Sequence, residues 1–545
     1  MTQPPPPPPP HQPPQGGGFG PPQDPPPGGF GAPVPPPPQG YGPPPQMPYG
    51  YGHPTPVPGP GKKLGIQARI IIAAAVAVVL IVGSGVWFAA SRGDGGTRDG
   101  TGSSASGGKE RKGEQEGKKG GGAPDGPGTE KVPADTASRT AFAHPEPKVE
   151  DITFIKGSWI SGKTFVKPGI NSVVGFDADS GATAWTLKLP GQVCASSAHQ
   201  SEDGKAAIVF EAAKRTAPRF FQPCTEVGVV DLGSGKLLWR ASVTGARSGD
   251  AKVKFAEITQ SGTTVAAGGL EGGAAFDLGS GKVLWKPGAD AGECYDRGYG
   301  GGPALVAVRR CGPVGSSRTV IQALNPKDGA PLFSYRMPET VEYANVVSSS
   351  PLVVAADVGD TAGVSGFSDL FSLDGKGALR ARIPATGDAY EARCRATEVE
   401  SCKKMAVGNG RVYLPTAARE SSSGFADTNE IVSFDLATGK PTSDRADAGA
   451  RHLLMPVRMD GGNLIAYRTP APDSGGQVVS IDGATFEQTV LMKNSDERSS
   501  RDQEIGFTLD SDEIDFENGR LFLSGSLMSR TTVSDQHLVV GFRTG

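Results

Sequence analysis

The chain of 545 residues is poor in the groups that catalysis and metal binding draw on. It has six histidines, and the three in the C-terminal part, His199, His452 and His537, stand far apart. None of its six cysteines forms C-x-x-C, so zinc is not expected. No two cysteines adjoin, and G-x-S-x-G, H-E-x-x-H and the P-loop are missing. Glu271-Gly-Gly and Gly298-Tyr-Gly-Gly-Gly302 are glycine-rich, but no strand-to-helix pattern surrounds them to cradle a phosphate. The formal net charge is −3, and the densest basic cluster, Lys109-Glu-Arg-Lys112, is short and partly neutralised. No nucleic-acid partner is expected. Long apolar runs are missing too, with one exception near the N-terminus.

What is present is a repeat. An apolar residue and Asp are followed by small residues, a Gly, and a Trp eight positions after the Asp. Three copies carry Asp177, Gly181 and Trp185; Asp231, Gly235 and Trp239; and Asp277, Gly281 and Trp285. A looser copy runs Leu324-Asn325 to Gly329 and Phe333. Each is read as strand, turn, strand. Asp bonds its own backbone and starts a turn, and Gly supplies a positive φ without steric cost. Three of the five Trp fall at one offset, which marks them as anchors packing between neighbouring units.

Further copies are shortened at Leu373-Asp374 and Ile481-Asp482-Gly483. Phe434-Asp435 to Gly439 is a full turn without the Trp, and Val539 to Gly545 holds the strand alone. A second hairpin recurs ahead of several copies, as in Ser161–Val166, Gly408–Leu414 and Asn518–Leu523. Two hairpins per unit and a period near 40–50 residues predict an all-β propeller of four-stranded blades. Eight copies predict eight blades, with seven as the alternative. The strand-like Asp151–Lys156 is the expected donor for the last blade's missing strand.

The phrase Val-Val-Asp-Leu-x-Ser-Gly-Lys-Leu-Leu-Trp resembles the repeat of the PQQ-binding-like β-propellers. That family includes quinoprotein dehydrogenases, a lipoprotein of outer-membrane-protein assembly, and membrane-anchored actinobacterial proteins. The resemblance spans roughly residues 150–545 and implies the fold. A quinoprotein alcohol dehydrogenase of this kind is expected to carry adjacent cysteines over the quinone, Ca²⁺ ligands and a catalytic Asp. The adjacent cysteines are missing here. Asp177, Asp231, Asp277 and Asp435 each stand alone in a turn, without companion carboxylates at ligand spacing. No cofactor, metal or catalytic residue is therefore assigned.

The N-terminal part is organised differently. Residues 1–61 form a Pro/Gly-rich tail, with 27 of the 49 prolines in the first 60 positions. Such a composition predicts disorder with polyproline II character. Residues 64–90 are read as a transmembrane helix, since Ile70 to Ala90 carries no charge and is long enough to cross a bilayer. Lys62, Lys63 and Arg69 put the tail in the cytoplasm. A cleaved signal peptide ending near Phe88-Ala-Ala-Ser91 is the competing reading. Residues 91–150, rich in Gly, Ser, Lys and Glu, are read as a flexible linker, and residues 151–545 as the extracytoplasmic propeller.

All six cysteines lie after the apolar run, which suits disulfides in an oxidising compartment. The repeat boundaries favour sequential pairing: Cys194 with Cys224, Cys294 with Cys311, Cys394 with Cys402. Free buried thiols are the alternative. The inter-strand segment 416–430 is long enough for recognition or for a disordered connection.

The expected function is a ligand- or protein-binding module at the cell envelope, held to the membrane by one helix. An unknown envelope partner would meet the propeller face, and a cytoplasmic partner the Pro-rich tail. The alternative is a quinone-binding or enzymatic propeller.

Overall fold

The computed structural model describes residues 126–217, 221–245, 248–287, 294–313, 316–421, 426–530 and 536–545. The Pro-rich tail, the apolar run 64–90 and most of the linker lie outside the described residues. Among the described residues no helix is long and apolar enough to cross a membrane.

The described chain builds eight antiparallel four-stranded sheets. Blade 1 consists of Trp159–Ser161, Thr164–Gly169, Ser172–Asp177 and Thr183–Lys188, innermost to outermost. Blades 2 to 7 occupy 193–241, 257–285, 294–336, 344–384, 406–447 and 454–493. Their first strands touch in turn around a common axis, from blade 2 through blade 8 to blade 1. The middle strands are sandwiched between blades, so Thr264–Gly268 is buried at every position and built from small or β-branched residues. The outer strand Lys236–Ala241 alternates between exposed and half-buried, because only one of its faces has a neighbour.

The repeat turns explain the ring. Asp177 Oδ1 accepts from the Ser180 amide at 2.9 Å and its hydroxyl at 2.7 Å, which holds the Asp177 carboxyl below its ordinary value. Gly181 follows at φ +71°. A Cβ added at Gly235, Gly281 or Gly329 would collide with Trp185, Trp239 or Trp285 of the preceding blade. Trp239 Nε1 also donates to the Leu278 carbonyl of the next blade at 2.7 Å. Each Trp therefore packs on the glycine of the neighbouring turn. Asp482 starts a full turn rather than a shortened one: its Oδ1 accepts from the Thr485 amide at 2.7 Å, and Phe486 takes the positive φ.

Closure differs from the sequence expectation. The outer strand of blade 8 is Ser138–Pro145, paired antiparallel with His537–Thr544. Asp151–Lys156 contributes only Thr153–Phe154, which pairs with Leu527–Met528. The end of the expected linker is thus part of the ring. Phe142 sits against Gly181 of blade 1, in the role that Trp plays elsewhere. Ahead of this strand, Asp460 accepts from the Thr129 amide and hydroxyl and from the Glu130 amide. Arg458 and the Asn518 amide bind the buried Glu130 carboxylate, tying the incoming chain to blades 7 and 8.

Candidate functional site

Antiparallel order gives the disc two unlike faces. The turns between first and second strands, and between third and fourth, share one face. The connections between second and third strands, and from blade to blade, share the other. The first will be called the turn face and the second the loop face. The disulfides Cys194–Cys224, Cys294–Cys311 and Cys394–Cys402 all sit at strand ends or connections of the loop face.

The connection from blade 5 to blade 6, residues 385–405, does not stay on the loop face. Closed by Cys394–Cys402, it forms a hairpin that enters the axial channel. The Val399 and Glu400 amides donate to the half-buried Glu257 carboxylate of blade 3. Asn345 of blade 5 donates to the Arg395 carbonyl at 2.9 Å and to the Glu398 carbonyl. Val346 N donates to the Val399 carbonyl at 2.7 Å. Lys156, ahead of blade 1, pairs with Glu398. Lys403 Nζ donates to the Ser511 and Asp512 carbonyls and to Glu513 at 2.8–2.9 Å, reaching blade 8. The hairpin tip, Glu400, meets His199 at 2.8 Å and Thr259 Oγ1 at 2.6 Å.

Beside the hairpin lies a cavity of about 390 Å³. Its charged lining comprises Glu257, Glu398, Glu400, Asp512, Glu513 and Asp515 against Lys156, Arg395, Lys403 and Lys404. These cations are engaged: Lys156 and Arg395 with Glu398, Lys403 with Glu513, Lys404 with Glu391 and Asp510. Burial pushes the Glu257 carboxyl up to about 8 and the Asp515 carboxyl up to about 6. Burial also lowers the Lys167 ammonium to about 8, against the pull of Glu513 and Asp515. Its Nζ has no hydrogen-bond partner among the described residues. Burial raises the Glu513 carboxyl, but Lys403 and Lys167 outweigh it and the net shift is downward. At His199 burial opposes the charged ring, and the Glu400 carboxylate reverses the balance, so its pKa is raised.

The repeat-turn residues Asp177, Asp231, Asp277 and Asp435, with their glycines and tryptophans, do not line this cavity. Cys194 and Cys402 do. Cys194, Glu211 and Cys224 lie close enough to suggest metal ligands, but the disulfide leaves no thiolate to bind one. Segment 416–430 carries the short ladder Arg419–Glu420 with Asp427–Thr428. Glu257, Glu400 and Lys403 were not singled out by the sequence. The signal available was the density of charge from Glu391 to Lys404 around a close cysteine pair.

Residues 158–305 match the family model described as outer membrane protein assembly factor BamB. This stretch is made of PQQ-like β-propeller repeats. Similar solved structures include BamB from Moraxella catarrhalis, 12% identical over 73% of this chain and 100% of that one, with a TM-score of 0.37. The quinohemoprotein alcohol dehydrogenases of Pseudomonas putida HK5 (ADHIIG) and Comamonas testosteroni are 10% and 11% identical. They cover 74% of this chain and 76% and 75% of theirs, each at TM-score 0.40. No curated protein sequence matches the chain.

PQQ-like repeats raise the question of a quinone, and the channel lining does not fit one. Pyrroloquinoline quinone is a flat, carboxylate-bearing ring. The lining offers six carboxylates to four cations, with those cations already engaged, and no aromatic side chain for a ring to stack on. The hairpin also puts its own backbone on the axis. No step is derived through this cofactor.

Proposed function

We propose that this chain is a membrane-anchored, extracytoplasmic propeller whose loop face binds a protein partner at the cell envelope. The distribution of exposed apolar side chains carries the reading. Ile152, Phe154, Ile170, Phe221, Leu270 and Leu527 all belong to loop-face connections, and Phe221 and Leu270 are each 70% exposed. Phe154 and Leu527 are ladder partners, and Gln192 bridges the Phe154 and Gly169 carbonyls, which brings Ile170 beside them. Grouped apolar residues with a polar surround are the usual mark of a protein interface. Of the other exposed large apolar residues, Leu238, Val283, Leu332 and Leu379 lie singly on the outer strands of different blades, Val132 precedes the ring, and Ile505 ends the helix between blades 7 and 8. The apolar run 70–90 supports the anchor, and three disulfides support an oxidising compartment. The Pro-rich tail is left to a cytoplasmic partner.

Cross-linking and capture from intact cells tests this reading. Phe154→Asp combined with Leu527→Asp should abolish capture of the partner, whereas Leu332→Asp on the rim should leave it intact. Equal capture by both variants refutes the loop face. Protease added to intact protoplasts should remove the propeller, and protection of it would refute the topology.

A further inference from the structure

In the channel the Glu400 carboxylate is held by a converging set of donors. Three donors from three different blades converge on this one side chain. Thr259 Oγ1 of blade 3 donates to Oε2 at 2.6 Å, and the Gly301 amide of blade 4 donates to Oε1 at 3.1 Å. His199 Nε2 of blade 2 meets Oε1 at 2.8 Å. Thr259 is fully buried. A Cβ at Gly301 would collide with Thr259 Oγ1, so glycine is what lets this amide reach the carboxylate. Of the segment Gly298–Gly302, the Gly301 amide alone meets the carboxylate.

This cluster is also open to solvent. The side chains of Glu400 and His199 are 19% and 36% exposed. Both lie level with the turn-face ends of the inner strands, since His199 and Gly301 directly precede or begin first-to-second-strand turns. Glu400 can leave without unseating the hairpin, because the backbone at 399–400 is held separately by Glu257 and Val399 is buried in the cluster of Val306, Val346 and Val354. Only the Glu400 side chain has to swing outward.

We propose that Glu400 is an intramolecular stand-in for a ligand carboxylate, and that the His199, Thr259 and Gly301 cradle accepts an acidic segment of a partner protein in its place. Naming a protein as the source rests on the reading given above; the cradle itself does not. A carboxylate taking two neutral donors and an imidazole has the geometry that charge-assisted bonds require, and since Glu257 already faces the Glu400 carboxylate, a ligand carboxylate in its place adds no net charge to the cradle. The occupied state competes with the ligand, so removal of Glu400 unmasks the site.

The test uses the full-length chain. Glu400→Ala should melt below wild type. Acetate, compared with chloride at equal ionic strength, should raise its Tm by roughly a few °C and leave wild type unmoved. Adding Thr259→Val should cancel that response. An acetate effect no larger in Glu400→Ala than in wild type overturns the receptor, whatever the capture experiment gives. A short peptide of adjacent glutamates should bind Glu400→Ala at least about tenfold more tightly than wild type. Equal peptide affinities overturn the competition. A response to acetate with none to the peptide overturns the acidic-segment assignment. Should the alanine variant fail to fold, Glu400→Gln keeps the shape of the side chain without its charge and should also exceed wild type in peptide affinity.

Discussion

The two faces of the disc are built by different rules. On the turn face, one solution recurs: an Asp carboxylate caps the turn and a positive-φ residue reverses the chain, and at Gly181, Gly235, Gly281, Gly329 and Gly377 an aromatic ring from the neighbouring blade rests on it. Asp177, Asp231, Asp277, Asp435 and Asp482 all accept from the amide three residues on. On the loop face no two connections agree. One carries a helix, Arg498–Ile505, one a small ladder, and one dives into the channel. The lesson is that the repeat specifies a scaffold, and whatever distinguishes this propeller from others is placed where the repeat is silent.

The comparison can be broken most severely at the seam. Removing residues 138–145 takes away the outer strand of blade 8 and the Phe142 contact with blade 1, leaving an open edge and an unburied face. Loss of the cooperative melt by circular dichroism is the expected result. A deletion variant that melts like wild type would show that the ring does not depend on its closure.

A smaller effect separates the faces directly. Trp239→Ala on the scaffold should cost about 3–5 kcal/mol, from the emptied space against Gly281 and the lost bond to Leu278. Leu270→Asp on the loop face should change stability by no more than about 0.5 kcal/mol, because the side chain already stands in solvent. Denaturant melts of both variants measure the difference, and similar losses would erase the division of labour.

A last effect is a pH dependence set largely by the channel. Glu257 has its folded pKa raised above the unfolded value, to about 8. Its contribution is full below pH ~4.5 and is lost as pH rises through about 8. Asp515 follows the same sign, its contribution full below pH ~4 and lost as pH rises through about 6. Wild-type Tm should therefore fall between pH 5 and pH 8, above which Lys167 acts in the opposite sense, and Glu257→Gln should flatten the alkaline part of that fall. A variant with an unchanged pH profile would show that Glu257 does not titrate in this range.

Legibility from sequence follows the same divide. The turns could be read because Asp, Gly and Trp act within about ten residues of one another and do so repeatedly. The disulfides could be read because each pair closes within one blade or one connection. The hairpin could not be placed in the channel, since Glu257 holds backbone amides some 140 residues away and an amide leaves no mark in sequence. Sequence alone points to Asp151–Lys156 as the closing strand, where apolar residues are denser. Ser138–Pro145 borders a Gly- and Lys-rich stretch, and its one diagnostic residue, Phe142, substitutes for a Trp.

Closure by the N-terminal strand also sets a schedule. Ser138–Pro145 is synthesised roughly 390 residues before its partner His537–Thr544. At ~5–20 residues per second that is a wait of roughly 20–80 s. Throughout it the earliest strand of the ring has no edge to join, and blade 1 has no neighbour on one side. The last strand made therefore decides when the first one folds, and whatever guards the growing chain has to guard its beginning longest.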